Sequence, residues 1–521
     1  MSEQGGSSRL DGLTHGAADW AGLRVLVAGI GPAGFAAADA LVERGAVVVV
    51  ADSREGTAQR ERAAILQMLG ADVRLGEQAQ DATRGMDTAA PDLVIASPGR
   101  SGADPLLAPA VAAGLPVWGE ADLAWRMRSG GAGRDAPAPW LVVGGASGKT
   151  TTVTMLTAML QAAGLRATAA GDVGRPGGLP LLEAVLHPQP YDVVAVSMAA
   201  DRLRWSSTVS PQAAVCLNVA PGGPGPLAQP GGLYAATQLA CVYTVADPAT
   251  ERLVRDADVV EGCRAIGVTL GVPAVSMFGV VEDVLCDRAF VPQRVTSAAE
   301  LGTLDDVRTA AGGVLASHHV IDALAAAALA RAHGVPPAAV RDGLRGVVPA
   351  AHRTARVAEA GGVTWVDDAA AGTPYAAAAS LGAFERVVWV AGADSPAAET
   401  DAGLQVALDD LVAARAERLR AAVLIGPPGQ QLARALARHA PDVPVASVPL
   451  AETGTVPGMD AVVARAAELA RPGDTVLLAP ACAPGPAEGP PDGERRVAEE
   501  TGDAFVAAVR RRLAAAGGQP T

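Results

Sequence analysis

Aromatic side chains make up only 3% of this 521-residue chain, so its cores must be assembled from Ala, Val and Leu. Cysteine is also scarce. Cys216, Cys241, Cys263, Cys286 and Cys482 form an odd, scattered set with no CxxC or metal-ligand spacing. Such a set excludes a disulfide framework and fits reduced thiols, so a cytoplasmic protein is expected. No apolar run reaches about 18 residues without Gly, Pro or charge, which excludes an expected membrane span. The N-terminal stretch 1–22 has neither a basic n-region nor an apolar h-region, and reads as a flexible extension rather than a signal peptide. Positive charge is in deficit: a formal net charge of −14 and a pI near 5.0 argue against a nucleic-acid partner. No internal repeat occurs at solenoid periods.

What the chain does contain is length for about three domains and one strong motif. Trp140–Gly144 reads as a short buried strand, followed by Gly145-Ala146-Ser147-Gly148-Lys149-Thr150-Thr151 and a helix expected over Thr151–Ala163. In such a loop the glycines turn backbone N–H groups toward phosphate, Lys149 reaches the β/γ oxygens, and the Thr150 hydroxyl is placed to ligate Mg²⁺. The helix adds its positive end. Nucleotide phosphate binding is the sharp reading; a loop that keeps its shape without a ligand is the plain one.

Two further α/β units flank this one. Upstream, the strand Leu23–Ala28 feeds the turn Gly29-Ile30-Gly31-Pro32-Ala33-Gly34, a helix over Phe35–Gly45 and a strand over Ala46–Ala51 that ends at Asp52. With strands at Asp92–Ala96 and Leu115–Trp118, this predicts a five-stranded parallel sheet. A lone GxGxxG is weak evidence for any particular ligand; a tight turn that packs a helix onto the sheet explains it equally well. The Gly/Arg-rich stretch 128–137 reads as a linker. In the central unit, strands are expected at Asp192–Val196 and Gln212–Leu217, a loop at 221–232 and a helix at Val320–His333. From about Pro349, strands at Val363–Val366, Arg386–Ala391, Ala421–Ile425, Val443–Val448 and Thr475–Leu478 alternate with helices, again a doubly wound α/β pattern. The expected domains are 23–137, 138–348 and 349–521.

Several short motifs occur in order along the chain: Gly29–Gly34, Ser97-Pro98-Gly99, Trp118-Gly119-Glu120, Gly145–Thr152, Leu203-x-Trp205, Leu217-Asn218, His352-Arg353-Thr354, Val366-Asp367-Asp368, Ala479–Ala483 and Gly502–Phe505. Jointly they resemble the Mur ligases, and within them the UDP-N-acetylmuramoyl-L-alanine:D-glutamate ligase (MurD) family, from about Leu23 to Phe505. The resemblance implies a Rossmann-like first domain that holds a UDP-sugar, a central P-loop domain for ATP and Mg²⁺, and a Rossmann-like third domain for the incoming amino acid. It implies UDP-sugar contacts from Gly29, Gly31, Gly34, Asp52, Ser97, Pro98 and Gly99. It implies nucleotide or interdomain contacts from Asp172, His319, Arg353 and Asp368, with Thr150 as a metal ligand. It also implies UDP-MurNAc-L-alanine as a partner molecule, association with cell-wall synthesis proteins and a monomeric state.

The same resemblance exposes departures. Where the family places a metal-binding Glu after the third core strand, this chain has Ser197, with Asp201 four residues on. The family's metal-binding His falls in Gly222–Leu227, and its carbamylated Lys falls on Gln238, after which the sequence looks shortened enough to lose a helix end or strand entry. The Gly-Asn-x-Gly motif appears as Gly171-Asp172-Val173-Gly174, with an insertion at 175–178, and an adenine-contacting Asn appears as His319. The third domain's Asp-Ser-Lys-Ala-Thr-Asn motif reads Asp368–Thr373, which removes its lysine, another lysine falls on Pro396, and the D-glutamate-holding Ser and Phe fall on Pro484 and about Glu488. Phosphoryl transfer onto a carboxylate brings two anions together, so cations must neutralise them. Losing several such groups predicts a rate loss on the order of 10⁴ or more.

A ligase-impaired, nucleotide-binding member of the family that acts as a regulator or interaction partner is therefore expected. The alternative is an active ATP-dependent acid–amino-acid ligase, on D-glutamate or a changed substrate, with Asp172, Asp201 or His319 recruited. A Rossmann oxidoreductase would leave the Lys149 loop unexplained. His318-His319 is expected to cap or pack, with its rings facing apart. Of Asp367-Asp368, adjacent on an extended segment, at most one is expected to address a shared site.

Overall fold

The computed structural model describes residues 9–84, 90–130, 136–171, 178–220, 222, 225–229, 231–392, 402–425, 429–448, 455–482 and 491–515. It contains three α/β units, each built on its own sheet. In the first, β1 (Arg24–Ala28), β2 (Val47–Asp52), β3 (Asp72–Leu75), β4 (Leu93–Ala96) and β5 (Val117–Gly119) are all parallel, in the order 3-2-1-4-5. Val, Leu and Ala runs buried on both faces explain the parallel sheet. Strand order reverses at β1, so the C-terminal ends of β1 and β4 border a crevice, and the Gly29 turn lies there. The following helix starts earlier than expected, at Pro32, because proline suits a first helical position, and it ends at Glu43.

Residues 9–22 are not a flexible extension. Leu10, Leu13 and Trp20 are buried in the core of the first unit, and Arg126 donates to the carbonyls of Leu10 and Leu13. Sparse apolar residues at the right positions outweigh a polar average.

The central sheet has nine strands: β6 (Trp140–Gly144), β7 (Ala167–Gly171), β8 (Val193–Ser197), β9 (Ala213–Cys216), β10 (Ala240–Thr244), β11 (Arg264–Val268), β12 (Met277–Val281), β13 (Val284–Asp287) and β14 (Ala299–Thr303). Their order is 14-13-12-11-10-9-6-8-7, parallel except where β13 pairs antiparallel with both neighbours. Ala-rich β7 has weak strand propensity, which is why periodicity missed it. The entry to β10 is intact just after Gln238, contrary to the loss expected from the shortened sequence. The helix after the loop runs Lys149–Ala162 and packs beside helices Ser317–Ala332 and Pro337–Arg345. Gly343 permits the last contact, since a Cβ there would lie 2.4 Å from Met159 Cα. In 221–232 the described residues include one short 3₁₀ turn, Gly225–Ala228.

The third unit has β15 (Ala355–Ala360), β16 (Val363–Asp367), β17 (Val387–Ala391), β18 (Leu419–Ile425), β19 (Val445–Val448) and β20 (Thr475–Leu478), in the order 15-16-20-17-18-19. Only β15 is antiparallel, and its mixed exposure hid it from sequence reading.

Side chains pin the first unit to the second. Asp122 accepts four hydrogen bonds, from the backbone and hydroxyl groups of Ser207 and Thr208, at 2.8 to 3.0 Å. Glu120 accepts from Leu181 N–H at 2.8 Å and pairs with Arg202.

Candidate functional site

The Lys149 loop leaves β6 in the middle of the central sheet and enters a helix directly. Gly145 (φ 131°) and Gly148 (φ 85°) occupy backbone conformations that only glycine adopts without strain. Asn218, just past β9, cinches the loop: its Oδ1 accepts the N–H groups of Ala146 and Ser147, both at 3.0 Å, and its Nδ2 donates to Ser147 O at 3.2 Å. The first intrahelical bond runs from Thr152 N–H to Gly148 O at 3.0 Å. The four N–H groups from Gly148 to Thr151 therefore precede the helical ladder and point out of its N-terminus. Lys149 Nζ lies over the loop, 2.9 Å from Gly145 O. It is the only lysine in the chain.

A cleft of about 310 Å³ opens beside the loop, lined by Ser147, Gly148, Asn218, His319 and Asp322 of the central unit and by Arg353, Asp368, Tyr375 and Ser380 of the third. His352 (φ 58°) and Thr354 (φ 49°) both adopt left-handed backbone, and between them Arg353 reaches across to donate from Nη2 to Thr150 Oγ1 at 3.4 Å. Arg353 of the third unit thus touches the loop of the central one. The strained pair is anchored on both sides. His352 Nδ1 bonds Asp367 Oδ2 at 2.6 Å, and Thr354 N–H donates to Asp368 Oδ1 at 3.1 Å. Gly502 leaves room for the imidazole, since a Cβ there would lie 2.1 Å from His352 Nδ1.

Adjacent Asp367 and Asp368 do divide their work. Asp367 holds His352 and accepts Ala369 N–H at 3.0 Å; Asp368 faces the cleft and accepts a hydrogen bond from Ser380. Burial pushes the Asp368 carboxyl up to about 6, against the opposing effects of Ser380, Thr354 N–H and Arg353. Burial also holds Asp322 well above the usual carboxylate range, against Thr152 and Arg353. Its Oδ1 sits against the loop, where a Cβ on Gly148 would be 2.4 Å away, and its Oδ2 is buried without a partner. The bond to Asp367 raises the His352 pKa despite burial.

The histidine pair does not face apart. The His318 and His319 rings meet edge to face with centroids 4.2 Å apart, and both line the cleft. The helix begins at Ser317, so these residues occupy its first turn. Burial lowers their pKa values to about 3 and about 4 respectively, so both are neutral near pH 7. His319 Nδ1 bonds Val314 O at 3.0 Å, which fits the packing role.

The other expected residues lie elsewhere. Ser197 ends β8 with its hydroxyl buried and unpartnered. Gln238 is exposed and donates to Ser210 O at 3.0 Å, away from the cleft. Asp201 lies in a short helix near Gly99, not beside Lys149. At the first glycine turn, Asp52 is buried and accepts Ile30 N–H at 3.0 Å, and Ser97 Oγ donates to Gly29 O at 3.1 Å. Burial alone would raise Asp52, but hydrogen bonds from Arg54 and Ile30 hold it below the usual range. Pro98 and Gly99 form the bend after β4, and Gly31 caps the helix with open space around it. Asp172, Pro396, Pro484 and Glu488 lie outside the described residues. Sequence reading gave no role to Asn218 or Asp322. Asn218 at a strand end beside the glycine loop was the available signal.

The loop fits a phosphate group: its two left-handed glycines and four helix-terminal N–H groups form an anion cradle. The surroundings do not fit Mg²⁺, which favours oxygen donors and usually one or two carboxylates. Thr150 Oγ1 already accepts from Arg353, and among the described residues no three His, Cys, Asp or Glu side chains are grouped to hold a metal.

Comparison with known proteins agrees with this architecture. Residues 23–119 match the Mur ligase MurD-like N-terminal domain, and residues 352–482 match the Mur ligase glutamate ligase domain. A Streptomyces avermitilis protein named UDP-N-acetylmuramoylalanine–D-glutamate ligase is 47% identical over 472 residues, covering 89% of this chain and 94% of the relative. A Streptomyces coelicolor protein of the same name is 46% identical over 474 residues, with the same coverage. The crystal structure of UDP-N-acetylmuramate-alanine ligase MurC from Thermotoga maritima shares the fold at 17% identity and a TM-score of 0.50, covering 94% of this chain and 99% of that one. With two domain matches and such identity across nearly its whole length, the chain belongs to the Mur ligase family, on its MurD-like branch.

Proposed function

We propose that this chain is a MurD-like protein of peptidoglycan synthesis in the cytoplasm that grips nucleotide phosphate at the Lys149 loop while its ligase chemistry is strongly impaired. It acts as a regulator or interaction partner of cell-wall synthesis proteins. One observation carries the reading: an anion cradle with its lysine in place adjoins a cleft whose loop hydroxyl is engaged by a guanidinium instead of being backed by clustered carboxylates. ATP is the proposed nucleotide, bound between the central and third units. UDP-MurNAc-L-alanine is the proposed occupant of the crevice beside Gly29, Gly31, Gly34, Asp52, Ser97, Pro98 and Gly99. His319, Arg353 and Asp368 face the nucleotide, and Asp172 is proposed to join them.

Activating a carboxylate as an acyl phosphate requires neutralising two anions at once, then holding an amine in line and away from water. Lys149 and Arg353 neutralise part of a bound polyphosphate. By resemblance Ser197 and Gln238 replace charged groups, and neither lines the cleft, so neither position helps to neutralise the second anion. A working ligase is the second reading, supported by 47% identity to a protein named for that activity. One assay separates them. ATP is expected to raise the melting temperature of the wild type and not of Lys149→Ala, while UDP-MurNAc-L-alanine plus D-glutamate releases no ADP above background. ADP release that needs both substrates and disappears in Lys149→Ala establishes the ligase instead.

A further inference from the structure

Arg353 stands where the chemistry of a phosphate loop calls for a divalent cation. The Thr150 hydroxyl lies in the first helical turn beside the cradle, and its oxygen accepts from Arg353 Nη2. That guanidinium is not a stray surface group. It is projected by two flanking anchors, His352 on Asp367 and Thr354 on Asp368, each in left-handed backbone. It also interacts electrostatically with two of the three carboxyls that line the cleft, Asp322 and Asp368, the third being Asp247. Burial opposes ionisation of both carboxyls, and Arg353 opposes that effect at each. A cation at the loop thus meets two monovalent competitors, Lys149 over the cradle and Arg353 on the Thr150 hydroxyl.

From this arrangement we infer that the cleft takes nucleoside polyphosphates in their metal-free form, with the Arg353 guanidinium and the Lys149 ammonium supplying the two positive charges that Mg²⁺ supplies elsewhere. A guanidinium is suited to the substitution, because its planar fork donates two parallel hydrogen bonds to phosphate oxygens and it stays charged at any working pH. It differs from a metal ion in one respect that matters. It is covalently part of the third unit, so phosphate held between Lys149 and Arg353 bridges two domains directly. Nucleotide then fastens the central and third units together without passing through a hydrated ion. Arg353 is a binding residue in this account, and no bond is made or broken.

The inference rests on the proposal that this site binds nucleotide, and calorimetry with ATP and with ADP tests both separately. Wild-type protein is titrated once in buffer with excess EDTA and once in millimolar Mg²⁺. The expected result is affinity in EDTA equal to that in Mg²⁺ within about threefold. Arg353→Ala is expected to lose at least about tenfold in EDTA, with Arg353→Lys intermediate because it keeps the charge without the fork. Melting curves of the unliganded variants establish that they are folded, and the wild-type comparison needs no variant. Binding at least about tenfold weaker in EDTA overturns the inference and leaves nucleotide binding standing. So does an unchanged affinity in folded Arg353→Ala. No heat with either nucleotide in either buffer overturns the nucleotide proposal itself.

Discussion

Two glycine turns in this molecule occupy the same position in the same kind of sheet and are finished differently. The Gly29 turn spends its polar groups on the protein: Ile30 N–H goes to Asp52, Gly29 N–H to Ala51 O at 2.7 Å, and Gly29 O accepts from Ser97. Its helix opens with Pro32, which has no N–H to offer. The Lys149 turn is tied by Asn218 and sets the helix N-terminus beside the cleft with an ammonium above it. Similar motifs thus yield a turn tied closely into its own sheet and a turn held mainly by Asn218. The side chains that tie each turn down separate them, and the glycine spacing does not.

Substitutions at the glycines sharpen this contrast. Gly34→Ala should cost most, about 3 kcal/mol, because the new Cβ would lie 2.0 Å from Gly29 O, a backbone atom that cannot step aside. Gly31→Ala in the same turn is the control and should change stability by less than about 0.5 kcal/mol, since nothing lies within 4 Å of its Cβ. Denaturant melts of the two variants check both values, and equal costs would break the account of the first turn as close-packed. Next comes Gly148→Ala, expected to cost about 2 kcal/mol from left-handed strain and the approach to Asp322 Oδ1. It should also remove the stabilisation by ATP, measured as the shift in melting temperature.

Acid should produce the smallest and most local difference. His318 and His319 have folded pKa values depressed to about 3 and about 4, so the unfolded chain binds more protons than the folded one below about pH 6.5. The stability contributed by their neutral forms therefore falls as pH drops from about 6.5 toward 4. Asp52, held below its ordinary range, contributes stability that is present above its unfolded pKa of 3.8 and lost only as pH falls through its lower folded value. Hydrogen exchange at pH 5 should show the start of helix Ser317–Ala332 opening before the Gly29 turn, and His319→Asn should reduce the difference. The reverse order of opening would show that other groups control the acid response.

Much of the fold was legible because Val-rich strands and glycine turns announce themselves locally. Trp140–Gly144 and Thr475–Leu478 were located to the residue. What stayed hidden depended on partners far along the chain. Ala167–Gly171 is a strand because β8 pairs with it, not because alanine prefers one. Leu10, Leu13 and Trp20 become core only once the first sheet exists. In the site, the Lys149 loop was readable as a motif, and resemblance pointed to Arg353. The Asn218 clamp and the contact of the two imidazoles arise from tertiary placement, which spacing along the sequence does not encode.

The solitary lysine has a practical consequence. Apart from the α-amine of the chain, Lys149 Nζ is the sole primary amine in the protein, and it lies over the cradle. An amine-selective acylating reagent has one internal target, so the mass of a single adduct reports whether that cradle is occupied. Intact-protein mass spectrometry can therefore follow occupancy of one loop in a 521-residue chain without an engineered label.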